Sequence, residues 1–205
     1  MFERIKKEIT KYGKIAGQKD LTPGISGNIS YRKSDKILIT SSGSANGYLK
    51  DKDFSVIDFD GNVISGNKKP STERYLHINF YENRSDINCV FHTHSPYLTA
   101  YASAGITPDD NILPEIIYCF GKIPIAKYAT PGSVELVEKT SVYLKDYDVV
   151  LMENHGVVVG GTTVKDTFLK LELAEAYAKT VLLSKFLGGA KALSNAEVKK
   201  ISMLK

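Results

Sequence analysis

Apolar residues recur at helical spacing from the start of the chain, at Ile5, Ile9, Tyr12 and Ile15, and the pattern stops before TPGISG. The spacing predicts an opening helix. GNISYR and KILIT then read as short strands, and FSVIDFDGNVIS reads as a hairpin turning at Asp60-Gly61. STERYLHINFYENR carries Tyr75, Leu76, Ile78 and Phe80 behind a Ser71 or Thr72 N-cap and is expected to be helical. INCVFHTH is a strand ending in Ser-Pro, followed by a helix in YLTAYASAG. KIPIAKY is a strand, SVELVEKTSVYLKD a helix, and DVVLMENHGVVVGG two strands around a turn. Residues 163–187 predict a long helix with Leu169, Leu173, Ala176, Thr180 and Leu183 on its apolar side, and NAEVKKISMLK a short closing one.

Strands alternating with helices imply an α/β fold of three layers around a central sheet. The 205 residues suffice for one sizeable core, and without a low-complexity linker or repeat the expectation is a single domain over 1–205. No apolar run approaches the ~20 residues of a membrane span. The N-terminal segment has no apolar region of the signal-peptide kind, so a cytoplasmic location is expected. The net charge of +4 is dispersed over the chain rather than gathered in a stripe. That excludes nucleic acid as the expected partner and is compatible with an anionic substrate. Cys89 and Cys119 sit in apolar company without a second cysteine at metal-ligand spacing, and both are expected to be buried thiols.

The candidate chemistry begins with CVFHTHSP. On a strand, His92 and His94 point to the same face and could meet one metal ion, or be two polar residues sharing a strand end. His155 lies at the tip of another apolar strand, before a glycine, where sites collect in α/β folds. Three histidines and one exchangeable position make a plan for catalytic zinc, although imidazoles also suit iron, nickel or cobalt. His77 follows Glu73 by four residues, on one helical face, and is expected to be structural rather than a ligand. GISGNIS, TSSGS and PSTE offer hydroxyls and open backbone N–H groups, the last at a helix start, as an anion site would. Ordinary turn chemistry would use the same residues. None matches a nucleotide-binding pattern.

In order along the chain stand Gly27-Asn28-Ile29-Ser30, Thr40-Ser41-Ser42-Gly43, Pro70-Ser71-Thr72-Glu73, His92-Thr93-His94, KYATPGS (127–133) and Asn154-His155-Gly156. Together they resemble the class II aldolase/adducin family, over residues 27–156. Each motif alone is weak, whereas the ordered set is specific. The resemblance implies a class II aldolase-like α/β/α domain with a largely antiparallel or mixed sheet. It implies one zinc ion per subunit, or another divalent metal, on His92, His94, His155 and Glu73, with Glu73 also shuttling the proton. It further implies a substrate phosphate held by Gly27, Asn28, Ser42, Gly43, Ser71 and Thr72, and Tyr118 acting on the departing aldehyde oxygen. The activity implied is zinc-dependent cleavage of a deoxyketose 1-phosphate, such as L-fuculose 1-phosphate, through a metal-stabilised enediolate. The products would be dihydroxyacetone phosphate and an aldehyde, and the assembly a homotetramer with sites at subunit boundaries.

The same family contains other activities. Methylthioribulose-1-phosphate dehydratase shares the three histidines, with its catalytic glutamate falling near Glu115. Ribulose-5-phosphate 4-epimerases carry aspartates where this chain has Glu73 and Ile117, which speaks against that reaction. Adducin-like members serve as assembly modules and lose the metal ligands that are retained here. The aldolases also bring a tyrosine from a C-terminal tail, whereas no tyrosine follows Tyr177 in this sequence.

Overall fold

The computed structural model describes residues 2–108 and 111–204. Its elements are α1 (Glu3–Gln18), β1 (Asn28–Lys33), β2 (Lys36–Thr40), β3 (Phe54–Ile57), β4 (Val63–Ser65), α2 (Arg74–Asn83) and β5 (Cys89–Thr93). There follow α3 (Pro96–Ser103), α4 (Pro114–Cys119), β6 (Ile125–Ala126), α5 (Val134–Leu144), β7 (Val149–Met152), β8 (Gly156–Gly161), α6 (Val164–Phe186) and α7 (Asn195–Ser202). The strands form one eight-stranded sheet in the order β4-β3-β2-β1-β5-β8-β7-β6. Every pairing is antiparallel except β6 with β7.

Strand alternation sends side chains to two separate cores, which makes the fold three-layered. Val149 and Leu151 of β7 and Val157 and Val159 of β8 join residues of α1, α3, α4 and α6 on one face. Val150, Met152 and Val158 join Leu76, Ile78 and Phe80 of α2 and Leu136 and Leu144 of α5 on the other. Buried on both faces, β7 and β8 read as continuous apolar runs rather than as alternating ones. β1 departs from this rule. Its Ile29 and Tyr31 face the first core, but Asn28 and Ser30 carry polar groups toward α2, and both are buried.

Helix α2 starts at Arg74, with Glu73 rather than Ser71 or Thr72 as its N-cap. The backbone N–H of Ser71 donates to the carbonyl of Thr40, and its hydroxyl accepts from the Glu73 N–H. Residues 71–73 are thereby tied to the end of β2 as a turn, and helical geometry begins only beyond it. From Leu76 to Tyr81 all six residues are buried, so α2 presents no simple stripe.

Long helix α6 has the expected extent but turns a different side inward. Phe168, Leu171, Ala174, Ala178 and Val181 are buried, while Leu169 and Leu183 are about half exposed and Ala176 and Thr180 are exposed. Two apolar stripes run along this helix, and Ala174 and Ala178 let the inward one approach its neighbours closely. Glu175 is buried on the same side, its carboxylate accepting from the N–H groups of Tyr97 and Leu98 at the start of α3. Cys119 is exposed at the end of α4, against expectation, because the buried side of that one-and-a-half-turn helix carries Ile116 and Ile117. KIPIAKY contributes only two strand residues, since β6 pairs with β7 alone at the sheet edge. No helix among the described residues is long and apolar enough to cross a membrane.

A close approach between sheet and α2 depends on Gly160. A Cβ there would lie 2.5 Å from Cζ and 2.7 Å from Cε1 of Phe80, whose ring is fully buried. Gly160→Ala is therefore expected to destabilise the protein by about 1–3 kcal/mol through overpacking. Urea denaturation measures this, and an unchanged midpoint would show that the Phe80 ring moves freely.

Candidate functional site

The sheet register builds the site from three distant segments. Asn28 of β1 is opposite His92 of β5, and His92 is opposite Val158 of β8. His155 immediately precedes β8, in a turn that Asn154 makes with a positive φ of 56°. Gly156 permits the contact between this turn and β5. A Cβ on it would stand 2.5 Å from the Thr93 carbonyl oxygen and 2.9 Å from His94 Cδ2. Gly27 has a φ of +74°, and a Cβ there would run into the His92 carbonyl oxygen.

His92, His94 and His155 each offer one ligand atom, all within 4.8 Å of one another. The Nε2 atoms of His92 and His94 are 3.2 Å apart. Glu73, from the turn before α2, brings Oε2 to 3.2 Å from His92 Nε2 and Oε1 to 3.2 Å from His155 Nε2. The Nδ1–H of His92 donates to the Val157 carbonyl at 3.0 Å, so the neutral ring carries its lone pair on Nε2, toward the cluster. His92 is fully buried, His155 and Glu73 are nearly so, and His94 is partly open.

Donors that face one another in this way suit a cation. The buried Oε1 of Glu73 has no hydrogen-bond partner among the described residues, nor has Nδ1 of His155. A tetrahedral ion with bonds of about 2.0–2.1 Å spaces its ligands by roughly 3.3 Å, close to the 3.2 Å separations found here. The three histidines thus form a site of the kind that holds a divalent metal, and Glu73 lies 3.2 Å from the Nε2 atoms of His92 and His155.

Electrostatics in the polypeptide alone agree with a tightly coupled cluster. Burial acts to raise the Glu73 carboxyl, but the neighbouring His92 and His155 rings outweigh it, holding it well below the usual range. Burial disfavours a charged His92, yet Glu73 and the Val157 carbonyl raise its pKa. His94 is pushed down to about 4 by burial and by the other two rings, and so keeps its lone pair.

The anion segments converge beside the cluster. The Ser42 N–H donates to the Lys69 carbonyl at 2.9 Å, the Ser71 N–H to Thr40 at 3.2 Å, and the Ile29 N–H to the Thr40 hydroxyl at 3.1 Å. Ser42, Gly43 and Thr72 are exposed, whereas Ser71 is buried with its hydroxyl on the Glu73 N–H. Loop 127–133 closes on this region, with Gly132 against Thr72. Asn28 is also buried, and its amide is engaged. Nδ2 donates to Glu73 Oε2 at 3.0 Å, and Oδ1 faces His77 Nε2 at 2.5 Å.

Tyr118, and the Glu115 of the dehydratase alternative, both sit on α4. Tyr118 is 46% exposed on α4, in a depression with Leu169 and Leu173 of α6 that none of the four cluster residues lines. Glu115 is exposed in the first turn of the same helix. Ser30 and Tyr81 carry no individual site role in the sequence reading, yet both are buried with hydroxyls in contact. Their signal was spacing: Asn28 and Ser30 at i and i+2 on a strand, and Glu73, His77 and Tyr81 at intervals of four.

Comparison with known proteins agrees with this geometry. Residues 7–182 match the Class II Aldolase and Adducin N-terminal domain. An L-fuculose phosphate aldolase of Methanocaldococcus jannaschii is 37% identical over 87% of this chain and 96% of its own length. A 5-deoxy-D-ribulose 1-phosphate aldolase of Bacillus thuringiensis is 32% identical, covering 98% and 95% respectively. A 3-oxo-tetronate 4-phosphate decarboxylase of Haemophilus influenzae is 32% identical over 85% of each chain. A solved L-fuculose 1-phosphate aldolase superposes with a TM-score of 0.91 at 32% identity, over 98% of this chain and 96% of that one. The fold, the three-histidine centre and these likenesses lead to one conclusion: the chain belongs to the class II aldolase and adducin family.

Proposed function

We propose that the protein is a zinc-dependent aldolase that cleaves a deoxyketose 1-phosphate into dihydroxyacetone phosphate and an aldehyde. The observation that carries this reading is the three-imidazole cluster, with Glu73 3.2 Å from His92 and His155, beside segments rich in hydroxyls and glycine. A divalent ion held by His92, His94, His155 and Glu73 would supply Lewis-acid stabilisation of the negative charge that develops on the ketose oxygens.

The polypeptide does the rest. Gly27, Ser42, Gly43, Ser71 and Thr72 hold the phosphate through hydroxyl and backbone N–H groups, while the Asn28 side chain, engaged by Glu73 and His77, supports the carboxylate instead. When the C3–C4 bond breaks, the electron pair moves toward C2 and the C4 hydroxyl passes its proton to the Glu73 carboxylate as the aldehyde forms. Glu73 then delivers a proton to C3 of the resulting enediolate, and in condensation takes it back. Its unbonded Oε1 is the oxygen available for this transfer.

The likeness to a decarboxylase supports a second reading with the same residues, in which loss of carbon dioxide, rather than of an aldehyde, leaves the enediolate. The dehydratase reading has less support, because its acid–base candidate Glu115 is exposed on α4. Tyr118 is exposed on that helix too and would reach a catalytic centre only across a subunit boundary, as a homotetramer provides. The half-exposed Leu169 and Leu183 of α6 suit burial in such an assembly.

The test offers metal-loaded protein four substrates: L-fuculose 1-phosphate, 5-deoxy-D-ribulose 1-phosphate, 3-oxo-tetronate 4-phosphate and methylthioribulose 1-phosphate. Chelator-sensitive release of dihydroxyacetone phosphate is expected. Dihydroxyacetone phosphate released with carbon dioxide, from 3-oxo-tetronate 4-phosphate only, or water released from methylthioribulose 1-phosphate, would reassign the reaction. Glu73→Gln should lose about 100-fold or more in turnover while the histidines retain metal, so near-normal turnover would remove Glu73 from its role. His92→Ala should lower the metal content itself, read by elemental analysis, and unchanged content would contradict the ligand set.

A further inference from the structure

Beneath Glu73, strand β1 and helix α2 interlock through alternating polar groups. Asn28 and Ser30 project from the strand two residues apart, and Glu73, His77 and Tyr81 project from the helix and its N-cap four apart. The contacts run in one line. Glu73 Oε2 meets Asn28 Nδ2 at 3.0 Å, and Asn28 Oδ1 meets His77 Nε2 at 2.5 Å. His77 Nδ1 then meets the Ser30 hydroxyl at 2.7 Å, and that hydroxyl meets the Tyr81 hydroxyl at 2.6 Å. His77 and Ser30 are fully buried, and Asn28 and Tyr81 are nearly so.

Hydrogen-bond chemistry gives this line a single direction. An ionised Glu73 only accepts, so Asn28 must turn its NH2 toward it and its oxygen toward His77. That oxygen only accepts, so His77 Nε2 must carry hydrogen. Burial keeps the His77 ring neutral, its pKa pushed down to about 3, which leaves Nδ1 bare. Nδ1 therefore accepts from Ser30, and the Ser30 oxygen accepts from Tyr81. Each group is fixed by the one before it. With the other His77 tautomer, the Asn28 amide would be drawn to flip and set its oxygen against the Glu73 carboxylate.

We propose that His77, held by Ser30 and Tyr81, is a positioning residue that locks the Asn28 amide and, through it, the orientation of the Glu73 carboxylate. The proposal rests on the reading of Glu73 as the acid–base group. Asn28 anchors Oε2, so Oε1 is left unbonded and aimed at the centre, where a proton can be exchanged. His77 itself touches neither metal ligand nor substrate and acts through Asn28.

The test uses metal-loaded full-length protein and reads exchange of the C3 proton of dihydroxyacetone phosphate with deuterated water, followed by NMR, alongside affinity for that compound and metal content. His77→Leu is expected to slow exchange by about 10–100-fold, with near-normal metal content and affinity. His77→Gln, whose amide can still donate to Asn28, should restore most of the rate. In an Asn28→Ala background the His77→Leu change should add little, because both act on one path. Nitrogen-15 NMR of the unaltered protein should find His77 neutral, with hydrogen on Nε2 only. Hydrogen on Nδ1, multiplying effects of the two variants, or a Gln variant as slow as Leu would overturn the proposal. The NMR reading decides the matter even if His77→Leu does not fold. If Glu73→Gln exchanges normally, the acid–base reading itself falls. If Glu73→Gln is inactive and His77→Leu is fully active, only the positioning role falls.

Discussion

Nitrogen lone pairs and a carboxylate turned toward one another inside a protein repel unless something positive lies between them, and the architecture around the histidine cluster is organised to hold that arrangement. His92 is fixed by its strand and by its bond to the Val157 carbonyl. His155 is fixed by a left-handed residue and a glycine in the turn before β8. Glu73 is fixed at a helix start that Ser71 ties to β2. The desolvation of these groups is costly on its own. A divalent ion bound there would offset that cost and so couple folding to metal affinity.

The antiparallel run β1-β5-β8 makes the convergence possible. Because β5 lies between β1 and β8, a residue from each side of the sequence comes beside His92, and the period of two sends them to the α2 face. The same face bears the Asn28–Ser30 pair, so the support of Glu73 and the ligand set share one sheet surface. On the proposed reading, phosphate binding, metal binding and proton transfer are placed side by side by strand register and by the two turns at residues 40–44 and 70–73. Bonds between those turns leave little freedom for one to move without the other.

Much of this was legible in the chain. His92 and His94 declared themselves by spacing on an apolar strand, and His155 by its place at a strand end before glycine. What the residues alone left open was whether the two strands were neighbours, a long-range fact that periodicity does not carry. Glu73 was reached through the family resemblance, and its seat at the N-cap rather than inside the helix came from hydrogen bonds to a distant strand end. The inward side of α6 differs from the stripe that spacing picks out, because two apolar stripes compete there and only packing decides between them. Cys119 stood among apolar residues yet faces solvent, since a short helix buries one side only. Asn28 looked like an anion-loop residue, but its side chain is already committed to Glu73 and His77.

The proposed function requires a single metal shared by four side chains from three regions of the chain. Anomalous diffraction from crystals of the metal-loaded protein, collected at the absorption edge of the ion, tests this directly. One peak per chain is expected, within bonding distance of Nε2 of His92, His94 and His155, with a Glu73 oxygen completing the set. A peak elsewhere, or metal-loaded crystals with no ion among these four residues, would contradict it.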